Sequence, residues 1–212
     1  MKLTNYENII FDFNGTIIND LDLCINILNY MLESKGYKKV TKERYLEIFT
    51  FPIIEYYKLA GFDFNKHSFE NLSVEFINLY QKASLECSLY DGVIELLEKL
   101  KKLNKNIILL SASQLDNLKE QVYHFKIDKY FTKILGLDNI LAKSKIEVAE
   151  KYFKENNIDL SKTIILGDTI HDAEVANKLK IDSILIADGH QSYDRLKKYK
   201  KEVIRNIKEL EL

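Results

Sequence analysis

The chain has 212 residues, 46% of them hydrophobic and 30% charged, with 31 lysines and arginines against 32 aspartates and glutamates. That length suits one large domain, or a core domain with a smaller insert, around a proper hydrophobic core. The balanced charge gives no electrostatic case for nucleic acid or an acidic membrane, and no run approaches the roughly 18 apolar residues of a membrane helix.

The N-terminus lacks a basic-then-apolar signal, so a cytoplasmic protein is expected, and no obligate protein partner is implied. Cys24 and Cys87 have no metal-binding spacing and read as small apolar residues in a reducing compartment.

Ile9–Phe13 is the first apolar run of strand length, and "DFNGT" (Asp12 to Thr16) closes it. From Leu21 to about Leu85 the pattern turns helical, with Leu21, Cys24, Ile25, Leu28 and Leu32 on one face, interrupted by "FTFPIIEYYKLAGFDF". The next strand-length run is Ile107–Ser111, far beyond the reach of one crossover helix. An all-helical domain over residues 18–85 is therefore expected, inserted into a core of residues 1–17 and 86–212. Its place beside the carboxyl end of the first strand makes it a candidate lid. Phe49, Phe51, Tyr56 and Tyr57 within it line a pocket under that lid or form the insert's own core.

A helical stripe (Val93, Leu96, Leu97, Leu100, Leu103) precedes the second strand. Further strands follow at Lys133–Leu135, Thr163–Gly167 and Ser183–Ala187. Ser144 and Glu147 form a capping-box pattern opening the helix of Ile146, Ala149, Tyr152 and Phe153. Strands apolar on both sides belong in a parallel sheet covered by helices, so the expected fold is α/β, with a Rossmann-like sheet of five parallel strands. The basic stretch "RLKKYKKEVIRNIKEL" reads as a solvated helix or a final edge element.

Ligands of open parallel sheets bind beyond the carboxyl ends of the strands. Asp12 ends the first strand, Ser111 the second, Lys143 and Lys145 follow the third, and "GDTIHD" (Gly167 to Asp172) follows the fourth. Clustered Asp12, Asp168 and Asp172 would repel one another unless a hard cation such as Mg2+ neutralised them. A hydroxyl and an ammonium suit phosphate oxygens, and Gly15 permits a sharp turn that aims N–H groups up to Thr16 at a phosphate.

These motifs resemble those of haloacid-dehalogenase-superfamily phosphatases with a helical cap after the first motif, similar to phosphoglycolate phosphatases. "DFNGT" resembles Asp-x-Asp-Gly-Thr, "ILLSAS" the strand ending in Ser or Thr, "AKSK" the lysine motif and "GDTIHD" Gly-Asp-x-x-x-Asp. "LYDGVIELLEKLKKLNKNIILLS" resembles the segment returning from cap to core. The resemblance implies Asp12 as a nucleophile forming an aspartyl-phosphate on a small phosphorylated metabolite. It implies Mg2+ held by Asp12, the carbonyl of Asn14, Asp168 and, directly or through water, Asp172. Ser111 and a lysine would hold the phosphoryl oxygens; Lys145 is preferred and Lys143 is the alternative.

Asn14 departs from the pattern. The family's second acid protonates the leaving group and activates water, and an amide exchanges no proton at neutral pH. Three readings stay open: a phosphatase that is attenuated or restricted to good leaving groups, a silent relative that binds a phosphorylated ligand, or another chemistry such as dehalogenation or phosphonate cleavage. Dehalogenases and phosphonatases resemble Asp-x-Tyr-Gly-Thr and Asp-x-Ala-Gly-Thr, and neither matches. His171 is the nearest substitute proton donor in sequence; His190 and Gln191 touch substrate or close a loop, and His67 and His124 read as solvated.

Overall fold

The computed structural model describes residues 2–137 and 144–212, so Lys143 lies outside the described residues. The apolar run after Glu7 forms β1 (Asn8–Phe11), buried at every position, and the chain then turns into a short strand, β2 (Ile18–Asn19). Four helices follow: α1 (Leu21–Ser34), α2 (Lys42–Ile48), α3 (Ile53–Ala60) and α4 (Phe69–Ser84). They enclose an apolar cluster of their own, with Leu21, Cys24, Leu28, Met31, Tyr45 and Tyr56 among its buried members. The aromatic tract that interrupts the helical pattern contains α3, which lies between Pro52 and Gly61; the break is confined to its flanks.

The chain returns through β3 (Ser88–Leu89), antiparallel to β2, so the two passages into and out of the helical segment lie side by side. Helix α5 (Val93–Lys102), β4 (Asn106–Gln114), α6 (Leu115–His124), β5 (Lys133–Leu137), α7 (Lys145–Glu155), β6 (Thr163–Gly167), α8 (Ile170–Leu179), β7 (Asp182–Ile186), α9 (Tyr193–Tyr199) and β8 (Val203–Ile204) complete the order. Leu103 falls just past α5 and is exposed, not part of its buried stripe.

All pairings in the main sheet are parallel, in the order β5-β4-β1-β6-β7-β8. The sheet has six strands, not five. The basic C-terminal stretch supplies both α9 and the edge strand β8, whose two residues Val203 and Ile204 pair with Leu185 and Ile186. Alternate residues of β1 face opposite layers: Ile9 and Phe11 pack with Val93, Leu97, Leu118 and Val122 of α5 and α6, whereas Ile10 packs with Ala149 and Phe153 of α7 and Val175 and Leu179 of α8. This two-sided cover is why the strands read as continuous apolar runs. β1 is central, with Ile9 opposite Ile107 on one side and Ile164 on the other, so Asp12 leaves the sheet at its middle.

Candidate active site

Asp12, Asp168 and Asp172 are buried, and each offers a carboxylate oxygen within 4.8 Å of the others. Lys145, 3% exposed at the first turn of α7, donates to Asp12 Oδ1 at 2.8 Å and to Asp172 Oδ1 at 2.5 Å. Among the described residues the expected capping box does not form at α7: Ser144 caps the helix instead by accepting at Oγ from the Ile146 N–H, one residue short of Glu147, at 3.2 Å. At α8, Asp172 Oδ2 accepts from the Thr169 N–H at 3.0 Å and from Thr169 Oγ1 at 2.7 Å, which fixes the carboxylate whose other oxygen meets Lys145.

Burial and the neighbouring Asp172, set against Lys145, push Asp12 up to about 6. Burial raises Asp168 to about 8 despite His190 beside it. Asp172 is held low: burial opposes its charge, but Lys145 in direct contact outweighs it. The reverse balance, burial against two carboxylates, holds the Lys145 ammonium above its ordinary value. Such a donor set of hard oxygens with excess negative charge fits a divalent cation such as Mg2+.

Thr16 and Gly15 are at the cluster but engaged elsewhere. Thr16 Oγ1 donates to Asp168 Oδ1 at 3.3 Å, and the Gly15 N–H donates to Asp20 Oδ1 at 2.9 Å, so neither group is turned to a phosphate here. Gly15 has φ +70, and a Cβ there would run into the Asp168 carboxylate and the His190 ring. Gly15→Ala should therefore destabilise the fold by more than about 1 kcal/mol, read as a lowered urea midpoint with unchanged slope.

Asn14 sits in a closed hydrogen-bond circuit. Its Nδ2 donates to Asp20 Oδ2 at 2.9 Å and to Tyr80 Oη at 2.6 Å; its Oδ1 accepts from Ser113 Oγ at 3.0 Å and Ser111 Oγ at 3.4 Å. Tyr80 Oη donates to Asp20 Oδ2 at 2.6 Å. Asp20 is fully buried at the start of α1, and its Oδ1 meets His190 Nε2 at 3.2 Å, while His190 Nδ1 lies 2.9 Å from Tyr45 Oη. Burial opposes the His190 cation, but Asp20 raises it to about 9; reciprocally, burial resists the Asp20 charge and His190 holds it low. The amide at position 14 thus has a physical reason: an aspartate there would set a partly buried carboxylate against the buried Asp20.

Sequence reasoning passed over Asp20, Tyr80, Ser113 and Tyr45. An acid at a helix start is ordinary capping chemistry, and only the turn at Gly15 folds Asp20 back onto position 14. The one available signal was its closeness in sequence, four residues beyond the "DFNGT" motif that contains Asp12. His171 does not join the site: its ring stacks on Phe51 at 4.5 Å, and burial lowers its basicity. Gln191 closes a loop, accepting from the Ile170 N–H and donating to the Phe49 carbonyl, whereas His190 lines the cavity beside Asp12.

That cavity runs from the carboxylates up into the helical segment, where Tyr45, Phe49, Phe51, Tyr56, Phe76 and Tyr80 form much of its wall. Tyr45, Tyr56 and Tyr80 are at once core residues of the four helices and wall of the cavity, so the two readings of the aromatic residues are not exclusive.

The sequence model for haloacid dehalogenase-like hydrolases matches residues 9–186. The chain is 24% identical over 200 residues to a 5'-nucleotidase of Pseudomonas aeruginosa, covering 91% of this chain and 87% of that protein. It is 23% identical over 208 residues to a phosphoglycolate phosphatase of Colwellia psychrerythraea, covering 94% and 92%. A haloacid dehalogenase-like hydrolase structure from Streptococcus pneumoniae shares the fold with a TM-score of 0.81 at 19% identity, over 95% of this chain and 94% of that one. The family match spans most of the sheet and all the strand ends just described, and the chain belongs to the haloacid dehalogenase-like hydrolases.

Proposed function

We propose that the protein is a Mg2+-dependent hydrolase of small phosphate monoesters, working through an aspartyl-phosphate on Asp12. The convergence of Asp12, Asp168 and Asp172 within 4.8 Å, with Lys145 bridging two of them, carries this reading. The named activities of the relatives from Pseudomonas and Colwellia support the substrate class. Asp12 attacks phosphorus, and Lys145 and Ser111 hold phosphoryl oxygens. Asp12, Asp168, the Asn14 carbonyl and, directly or through water, Asp172 would hold Mg2+, which when bound would supply charge neutralisation and a Lewis acid for the phosphoryl group. The helices of residues 18–85 act as a cap over a core of residues 1–17 and 86–212, and shield the reaction from water.

Phosphate release from a panel of sugar phosphates, nucleotides, phosphoglycolate and aryl phosphates tests the reading. Turnover should vanish in EDTA and return with Mg2+; turnover indifferent to chelation would overturn it.

Restoring the acid gives a second test. Asn14→Asp should raise turnover of alkyl phosphates by about 10²-fold, the lower end of general acid catalysis. The same change replaces a 2.9 Å hydrogen bond to Asp20 with a carboxylate pair and should lower stability by about 1–3 kcal/mol. Adding Asp20→Asn should return part of that loss. Rate assays and thermal melts on the three proteins check both signs, and a protein that gained no rate would be a binding relative.

A further inference from the structure

Resting on the hydrolase reading, we propose that the substrates are aryl phosphate monoesters, with the phosphoryl group at Asp12 and Lys145 and one aromatic ring in the chamber under the helices. Two independent observations converge on this class.

The first is the wall. Tyr45, Phe49, Phe51, Tyr56 and Phe76 face the chamber, and among the described residues no arginine, and no lysine besides Lys145, lines it. A leaving group bearing a carboxylate or a second phosphate would find, among the described residues, only Lys145 and His190, and both are already paired with carboxylates, Lys145 with Asp12 and Asp172 and His190 with Asp20. The whole cavity, its carboxylate end included, holds about 160 Å³, close to an engineered apolar cavity of about 150 Å³ that takes up benzene, so it has room for one ring and little more. Rings stacked edge-to-face, such as Phe49 on Tyr56 at 5.0 Å, offer an incoming ring the same geometry.

The second is the missing proton. Asn14 has nothing to give the departing oxygen, and all its amide groups are engaged. His190 is the one imidazole lining the chamber among the described residues, and both its ring nitrogens are engaged, by Asp20 and Tyr45. With neither of these two groups free to give a proton, a leaving oxygen that departs as an anion is favoured. A phenol, with an acidity near that of tyrosine at about 10, bears this; an alkanol, close to water at about 15.7, does not.

The steps balance. An Asp12 oxygen attacks phosphorus, the P–O bond to the ring breaks, and its electron pair leaves on the aryl oxide. Water then attacks the aspartyl-phosphate, and the P–O bond to Asp12 breaks with its pair returning to the carboxylate. One water proton passes to the aryl oxide, giving the phenol, and the other stays on hydrogenphosphate.

Wild-type protein with Mg2+ should hydrolyse phenyl phosphate with kcat at least about 10²-fold above glycerol 2-phosphate or phosphoglycolate, and Asn14→Asp should narrow that gap. Because phenyl esters are intrinsically more reactive, binding is measured separately with non-hydrolysable probes. Phenylphosphonate should inhibit about 10- to 100-fold more tightly than methylphosphonate, the worth of burying one ring, and more tightly than phosphonoacetate. A nucleoside 5'-phosphate carries a ribose besides its base, more than this cavity takes, and leaves through an alkyl oxygen, so it should bind weakly and turn over slowly. Ile77→Arg, which places a cation in the half-buried wall, should reverse the order of phenylphosphonate and phosphonoacetate. If that variant fails to fold, the wild-type inhibition series decides alone. Mg2+-dependent release with alkyl or carboxylated esters preferred, or methylphosphonate binding as well as phenylphosphonate, overturns the aryl assignment and leaves the hydrolase reading standing. Release from no ester overturns the hydrolase reading, and the assignment with it.

Discussion

Asp12→Asn should lower phosphate release by about 10⁵-fold or more, the order lost when the nucleophile of a covalent mechanism is removed, while the folded protein becomes more stable in chelator. The two effects have opposite signs for one reason. Asp12 stands where its charge is poorly housed: burial and the nearby Asp172 raise its acidity constant to about 6 against the pull of Lys145. A carboxyl whose folded value lies above its unfolded value destabilises the native state as pH rises through that window, so at pH 7 the ionised group is a burden. The amide keeps the shape without the charge, and Lys145 retains Asp172 at 2.5 Å. In EDTA at pH 7 the melting temperature should rise by a few degrees, an effect of about 1–2 kcal/mol for a chain of this size. In Mg2+ the gain should shrink, because the wild-type carboxylate then has a cation to serve. A variant that kept its turnover would remove Asp12 from the chemistry.

Lys145→Met should be the most destabilising single change at the site, by about 3–5 kcal/mol, the loss expected when one member of a buried ion pair is removed. Its ammonium is the only cation touching both Asp12 and Asp172 among the described residues, and without it the three acids face one another within 4.8 Å. The loss should be greatest at neutral and alkaline pH and should fade as pH falls and the carboxylates take up protons. Added Mg2+ should recover part of the stability but not the rate, which should stay down by about 10²–10³-fold for want of a phosphoryl-oxygen donor. Calorimetric melts from pH 5 to 8, with and without Mg2+, separate these contributions. Equal loss at every pH would mean that Lys145 matters for packing and not for charge.

The sheet was legible because β1, β4 and β6 are covered on both faces: Ile9, Ile10, Ile108, Ile165 and their neighbours leave no polar residue to break the run. The sixth strand was legible only as one of two readings, a final edge element, because Val203 and Ile204 stand alone between charged residues and owe their conformation to pairing with β7. The far end of β4 was hidden for a related reason: Ser111, Ala112 and Ser113 lack apolar bulk, yet the strand continues to Gln114 past an irregularity opposite β5. Asp12, Lys145, Asp168 and Asp172 could be brought to one edge from the sequence because each follows a strand, and Ser111 because it closes the apolar run of β4, although the strand itself continues to Gln114. The circuit around Asn14 could not, since it depends on a turn, a helix start and Tyr80 far along the chain meeting in space.

The position of β1 also dictates an order of assembly during synthesis. This strand is made first, yet its flanking partners come much later: Asn8 bonds to Asn106, 98 residues on, and to Thr163, 155 residues on. Contacts so distant close slowly, whereas helices packed on near neighbours form fast. The four helices between β2 and β3 complete their own cluster before either neighbour of β1 has left the ribosome. Until β6 emerges, Ile9, Ile10 and Phe11 form an apolar strand with an open edge, the stretch of the nascent chain most in need of a chaperone. Asp12, which follows β1, is thus made before either strand that flanks β1 and enclosed only when both have paired.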